Sequence, residues 1–398
     1  MRKLNKTAAC GILAAALAAG TLSGCSKAID GTKTVATVGD EKVTLGLASY
    51  MTRDQQAQTM SYYNMLMSQY GVSGSASNVW DQKGDDGKTV GESSKDSVMK
   101  TINQLYVLKA HAADYDVTIT EDEEKAIKEA AAEFIKDNDE KILKKLAVSE
   151  DDIVTYLELV TIRSKMHDPM TADVDTEVSA NEKDQTRVTI VKVSTEGTEK
   201  DDDGNTIDLT DEEKAQKKDL AQQVLDKVKA SDDVANADMD ALAKEVDDSL
   251  SATAPAFTTA GDTDDTLDEA VQDAALELKD GEVADKVIEG DDGYYVVRLD
   301  KMLDEDATEN KEKTVISERK SDLYDSTLED WVKEEKIKVD DKVWDQIKVT
   351  DSVSFEYKST DSSKGDSTAT DADSTKDTED TSAQDSSASD SAAEDSAE

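Results

Sequence analysis

The sequence predicts an α+β protein: a helical N-terminal domain completed by a C-terminal helix, with a small α+β domain inserted between them. Three observations predict it. Long helical stretches with marked starts fill the first half, in a chain with only two Pro among 398 residues. A strand, a set of helices and a closing strand follow in that order between about 180 and 303. A single late helix, with no partner near it in sequence, comes after them.

In chain order, Val35-Ala36-Thr37-Val38 and Lys42-Val43-Thr44-Leu45 flank Gly39-Asp40-Glu41, a short hairpin signal. Helices are predicted over roughly 46–70, 93–115, 121–146 and 149–167. Thr120 with Glu123 reads as a capping box, and Ser149 with Asp152 as a second helix start. A polar, Gly-rich loop separates the first two helices, and Asp168-Pro169 is expected to end the block. Arg187 to Val193 alternates like a strand. Thr210 and Glu213 open a helix with Leu220, Val224, Leu225 and Val228 on one face. Met239, Leu242, Ala243 and Val246 form a second such face, and Leu267 to Leu278 a third, short helix. Gly293 to Leu299 closes the region as a strand. A helix over Lys313–Lys336 and the strand Ile337-Lys338-Val339 end the ordered sequence, and that helix is expected to pack back on the first region.

The two ends are addresses or spacers. Arg2, Lys3 and Lys6 precede an uncharged apolar run from Thr7 to Leu22, too short for a comfortable membrane span. Leu22-Ser23-Gly24-Cys25 looks like a bacterial lipobox. That makes 1–24 a lipoprotein signal peptide, Cys25 the lipidation site, and 25–34 a lipidated linker. The predicted location is the outer, extracytoplasmic face of the cell membrane. At the other end, 358–398 holds no large apolar residue and reads as a disordered acidic Ser/Asp/Thr tail.

Charge excludes other classes. With 46 Lys+Arg against 91 Asp+Glu, the net charge is −45, which repels phosphate backbones and leaves no nucleic-acid partner. Both Cys lie in the first 25 residues, so no disulfide framework is available. The two His, His111 and His167, have no second ligand at metal spacing, and no metal or cofactor is implied. Asp201-Asp202-Asp203-Gly204-Asn205 resembles a calcium loop, but the twelfth-position ligand would be Thr210, so a β-turn is the better reading.

Met51, Met60, Met65 and Met67 crowd one span with Tyr62, Tyr63 and Tyr70. Such residues make either the core of the first helix pair or an adaptable surface for apolar clients. Met60, Tyr63 and Met67 are the client-binding candidates.

Three stretches resemble the lipid-anchored foldases of the bacterial envelope, the PrsA/SurA-like group with a parvulin-type (PpiC-like) peptidyl-prolyl isomerase domain. The hairpin and helices, with Thr101 to Leu105 through Val117 to Glu123, are similar to that family's chaperone domain. Leu276-Glu277-Leu278-Lys279-Asp280-Gly281-Glu282-Val283 followed by Gly293-Tyr294-Tyr295-Val296-Val297-Arg298-Leu299 looks like the end of a parvulin domain. Trp331 through Val339 is similar to the C-terminal helix and strand. The resemblance implies a chaperone domain at 35–175, a parvulin-like domain at 180–303 and a completing segment at 304–357. It implies unfolded or exported proteins as partners, with the membrane reached through the N-terminal lipid.

The family pocket uses two facing His, from the first and last strands, over an apolar floor. Here those positions fall at or one residue from Thr189, and at Tyr295. The glycine-rich stretch is reduced to Ala260-Gly261-Asp262, and the proline-pocket candidates are Phe257, Leu267 and Val271. The implied function is a peptidyl-prolyl isomerase-like foldase for secreted proteins. The alternatives are a pure holdase with a degenerate parvulin domain, or a solute-binding or adhesion lipoprotein. The last would show two lobes of alternating strands and helices along the whole chain, a pattern this sequence lacks.

Overall fold

A computed structural model describes residues 17–19, 29–70, 78–197, 206–259 and 267–358. The elements begin with β1 (Leu17–Ala19), β2 (Thr34–Val38), β3 (Glu41–Thr44), α1 (Leu45–Gln69) and α2 (Val90–His111). Next come α3 (Glu121–Asp137), α4 (Glu140–Leu146), α5 (Glu150–Met170) and α6 (Ala180–Lys183). The middle of the chain forms β4 (Gln185–Ser194), α7 (Asp211–Lys229), α8 (Met239–Lys244), β5 (Ala252–Thr253), β6 (Ala256–Thr258), α9 (Glu269–Leu276), β7 (Ile288–Glu289) and β8 (Gly293–Lys301). The chain closes with α10 (Glu305–Glu334), β9 (Ile337–Val339), α11 (Asp341–Trp344) and β10 (Phe355–Tyr357). The fold class is α+β, as the sequence predicts.

The described residues fall into two compact units. One takes those of 1–102, 119–161 and 338–398, and the other those of 103–118 and 162–337.

In the first unit β2 lies between β3 and β9. Thr44 leaves the hairpin as the cap of α1, its hydroxyl accepting from Leu47 N at 3.1 Å. The same hydroxyl donates to Asp152, which in turn accepts from Ser149 N at 2.8 Å and Ser149 Oγ at 2.7 Å. The two helix starts are thereby tied together. The beginning of α1, Leu45 to Arg53, is buried on every side, and the Tyr50 ring sits edge-on to Phe134 and Tyr156 at 5.3 and 5.1 Å. Arg53 is buried, and among the described residues it has no carboxylate partner. It donates to Gln56 Oε1 and Lys348 O, and burial pushes its guanidinium down to about 10. Gly91 is required where α2 passes the C-terminal segment, because a Cβ there would lie 2.0 Å from Val349 O.

The second unit contains a sheet of order β5-β4-β8-β7, with β6 also paired to β4. The β4–β8 pair is antiparallel, from Arg187↔Lys301 to Ser194↔Gly293, with a bulge between Arg187 and Val188. One face packs on α7 and α8 through Val191, Val193, Val224, Leu225, Val228 and Met239. The other packs on α9. Gly281, at φ +79, makes the turn that returns the chain from α9 to the sheet, its N–H reaching Leu299 O at 2.7 Å. At the far end of β8, Asp304 caps α10, and Arg187 pairs with its carboxylate. Along α10, His111 stacks on Trp331 with centroids 4.1 Å apart, and Arg319 bonds Glu182 at 2.5 Å.

Helix boundaries differ from the sequence reading: the expected 93–115 is α2 from Val90 to His111, followed by a 3-10 turn over Ala112–Tyr115. The stretch 121–146 is two helices, because Asn138 is extended and its side chain takes the Phe134 carbonyl at 2.9 Å. The α5 helix continues through Pro169 to Met170, since a proline in the last turn removes one backbone bond and no following turn depends on it. The last helix starts at Glu305 rather than Lys313, because Asp304 accepts from Asp306 N and Ala307 N at 3.1 and 3.2 Å. The leader apart from Leu17–Ala19, the lipidation position Cys25, the Asp201–Asn205 loop, Ala260-Gly261-Asp262 and the tail from residue 359 lie outside the described residues.

Candidate functional site

The α9 face of the second sheet holds the site candidates. Val188 and Ile190 of β4, Tyr295, Val297 and Leu299 of β8, Phe257 of β6, and Val271 and Ala275 of α9 form one buried cluster. Leu267 packs against it, partly buried. The structure therefore brings Tyr295, Phe257, Leu267 and Val271 together, as neighbours on one face. Phe257 and Val271 have no exposed surface.

Thr189 is not among them. Side chains alternate across a strand, and Val188 and Ile190 both enter the Tyr295 cluster, so Thr189 points to the other face. There its hydroxyl donates to Asp300 Oδ2 at 2.6 Å. Arg298, opposite it in the ladder, donates to Asp300 Oδ1 at 2.7 Å and to the Val234 and Ala237 carbonyls at 3.1 and 2.8 Å. Thr189 belongs to a polar network that fastens the turn before α8. Of the positions at or beside Thr189, Val188 and Ile190 share the Tyr295 face.

A polar group stands at the rim of the α9 face. The Tyr295 hydroxyl donates to Asp292, and Lys192, directly across the ladder from Tyr295, bonds the other oxygen of the same carboxylate. The Lys192 ammonium also lies 5.9 Å from the Tyr295 ring centre. Burial, then the Asp292 carboxylate, pushes the Tyr295 hydroxyl well above the usual phenol range, so it stays a proton donor. Burial opposes ionisation of Asp292, but the bonds from Lys192 and Tyr295 outweigh it and hold its carboxyl below the ordinary value. Asp268 caps α9 and accepts from Asp291 N at 2.7 Å. Between them Gly290 leaves no room for a side chain: a Cβ would come within 2.4 Å of Asp268 Oδ2 and 2.8 Å of the Tyr295 ring. Sequence reasoning missed Lys192, Asp268 and Asp292. The Gly-Asp-Asp-Gly turn before β8 was the available signal for the last of these.

The arrangement offers an apolar cluster with a fixed phenol donor and an ammonium at its rim. Among the described residues it contains no nucleophile with an adjacent base. The two His lie elsewhere in this unit: His111 against Trp331 with Nδ1 3.0 Å from Asp114, and His167 against Tyr324. No group of three metal-ligating side chains occurs among the described residues.

The client-binding candidates separate in the first unit. Met60 is core, packed with Trp80 and Val349. Met67 is half-buried. Tyr63 is exposed, and with Tyr62, Met65 and Tyr70 at 58, 62 and 74 % exposure it makes the end of α1 an apolar surface. No helix among the described residues is long and apolar enough to cross a membrane.

A strand–helix–strand domain with helices on both faces of a small antiparallel sheet is thus the unit that carries the candidate site. Residues 199–314 match the family described as a PPIC-type PPIASE domain, a stretch that runs from after β4 into the start of α10 and overlaps the expected 180–303 in part. No curated protein matches the chain. Among solved structures, the chain is similar to the foldase PrsA of Lactococcus lactis at 14% identity and TM-score 0.31, covering 78% of this chain and 96% of that one. It is similar to the peptidylprolyl isomerase PrsA of Bacillus cereus at 19% identity and TM-score 0.29, covering 68% and 97%. A SurA-like chaperone of Campylobacter jejuni matches at 10% identity and TM-score 0.26, covering 77% and 98%.

Proposed function

We propose that this protein is an extracytoplasmic folding factor for exported proteins, anchored by lipid at Cys25 and carrying a peptidyl-prolyl isomerase-type domain. The observation that carries this reading is the PPIC-type PPIASE match over 199–314, on a domain whose α9 face gathers Tyr295, Phe257, Leu267 and Val271. On this reading 35–175 and 304–357 form the chaperone body, 180–303 the isomerase-type domain, and 358–398 a solvated spacer. The clients are non-native exported chains, held on apolar surface such as the Tyr62, Tyr63, Met65 and Tyr70 end of α1.

The reaction assigned to such a domain is rotation about an X-Pro amide, with a barrier of about 18–20 kcal/mol. An apolar seat with a hydrogen-bond donor lowers it by holding the twisted amide. Two observations favour the holdase reading over an efficient isomerase: Phe257 and Val271 are fully covered, and the Tyr295 hydroxyl is already given to Asp292. The test is cis–trans exchange of an X-Pro peptide together with suppression of aggregation of a denatured client, both on the full chain. Exchange at the uncatalysed rate with strong suppression supports the holdase. Absence of both activities overturns the folding-factor reading.

A further inference from the structure

β1 lies in the apolar stretch read as a removed leader, yet it occupies a formed seat. It pairs antiparallel with β10, Leu17↔Tyr357, Ala18↔Glu356 and Ala19↔Phe355, and β10 has no other strand partner among the described residues. Leu17 is 4% exposed. Its N–H donates to Asn138 Oδ1 at 2.9 Å, and Asn138 is itself buried and fixed by donating to the Phe134 carbonyl. The break between α3 and α4 thus places a side-chain acceptor beside a strand that the sequence marks for removal. The opposite side of the seat is formed by buried and hydrogen-bonded groups of β10. Phe355 is 1% exposed beneath the Arg53 guanidinium, 5.0 Å from its ring centre, and the Tyr357 hydroxyl donates to Asp54 at 2.8 Å. Once the leader is cut away, the β10 edge and Asn138 Oδ1 lose their partners, and an unpaired edge beside apolar walls is a template for another strand.

We propose that in the processed protein this seat takes an extended, aliphatic segment of a non-native polypeptide, added antiparallel to β10, and that Leu17–Ala19 fills it in the precursor. The occupant's chemistry is read from the strand already there: backbone pairing, which tolerates many sequences, and one aliphatic side chain sunk at the Leu17 position. A net charge of −45 selects against acidic segments. The inference rests on the reading that the leader is removed and that the protein holds clients.

The test uses the full chain and its Leu17→Asp variant, with a synthetic peptide of residues 14–22 as probe and hydrogen exchange of the Phe355–Tyr357 amides as readout. Leu17→Asp is expected to speed exchange at β10 by about tenfold or more, and the added peptide to slow it again. A second substitution separates seat from fold: on the Leu17→Asp background, Asn138→Leu weakens peptide protection while Asn138→Asp, which keeps the acceptor, retains it. The proposal is overturned if Leu17→Asp leaves β10 exchange unchanged, or if the peptide gives no protection. The holding reading is scored separately by aggregation of a denatured client. Protection at β10 without suppression removes the holding reading and keeps the seat, whereas suppression without protection removes the seat and keeps the holding reading.

Discussion

Thr189 and Tyr295 sit on neighbouring strands of one sheet and face away from each other, Tyr295 into the α9 cluster and Thr189 into the Arg298–Asp300 network. Restoring His at both positions therefore cannot build a facing pair. Thr189→His with Tyr295→His is expected to give no faster X-Pro exchange than Tyr295→His alone. It also removes the hydroxyl bond to Asp300, at a cost of about 1–3 kcal/mol in thermal unfolding. Ile190→His with Tyr295→His puts both rings on one face, and an exchange rate roughly tenfold or more above the Thr189 pair is expected. Equal rates for the two pairs would contradict this assignment of faces.

The Arg187–Asp304 pair joins the sheet to α10. Asp304 is buried, accepts from two α10 amides and pairs with the Arg187 guanidinium. Asp304→Ala is expected to destabilise by about 2–4 kcal/mol, the loss of a cap plus an unpaired cation. The bond from Arg187, against the opposing effect of burial, lowers the Asp304 carboxyl below the ordinary carboxylate range. A lowered carboxylate contributes stability above the unfolded value and loses it as pH falls through the folded value. Denaturant titrations should show the wild-type advantage over Asp304→Ala at pH 7 shrinking below about pH 4. A constant gap down to about pH 2 would contradict the ion pair.

Met60 and Tyr63 are three residues apart on α1 and are expected to behave oppositely. Met60→Ala opens a cavity against Trp80 and Val349 and should cost about 2–5 kcal/mol. Tyr63→Ser lies on the exposed face and should stay within about 0.5 kcal/mol of wild type, while reducing suppression of client aggregation. Unchanged suppression with Tyr62, Tyr63 and Met65 all replaced by Ser would remove this surface from the client-holding account.

Cys25→Ala is expected to move the protein from the membrane fraction to the soluble fraction, or to leave it unprocessed. Detergent-dependent membrane association that survives the substitution would contradict lipidation at Cys25.

The elements that the sequence made legible are those fixed by local chemistry. Thr120–Glu123 and Thr210–Glu213 form capping boxes as their spacing implies, and Gly281 turns where Lys-Asp-Gly-Glu requires it. What was hidden depends on distant partners. Asn138 breaks a helical run because its side chain serves the Phe134 carbonyl and the N–H of Leu17, 121 residues away. The start of α10 escaped notice because 305–312 carries almost no apolar residue, so periodicity is silent and only the Asp304 cap marks it. The facing of Thr189 was illegible for another reason. β4 is covered on both sides, Ile190 and Val191 being buried against different clusters, so its alternation does not tell one face from the other. The rim group of Lys192, Asp292 and Tyr295 exists only once β4 and β8 are in register.

Client holding is read directly by light scattering of a denatured, proline-free client diluted into buffer with the full chain. A client without proline isolates holding from isomerisation. Near-stoichiometric full chain is expected to suppress the scattering. Replacing Tyr62, Tyr63 and Met65 by Ser, in a chain with unchanged thermal unfolding, is expected to release it. Scattering that rises at the same rate with and without the folded full chain would contradict the account.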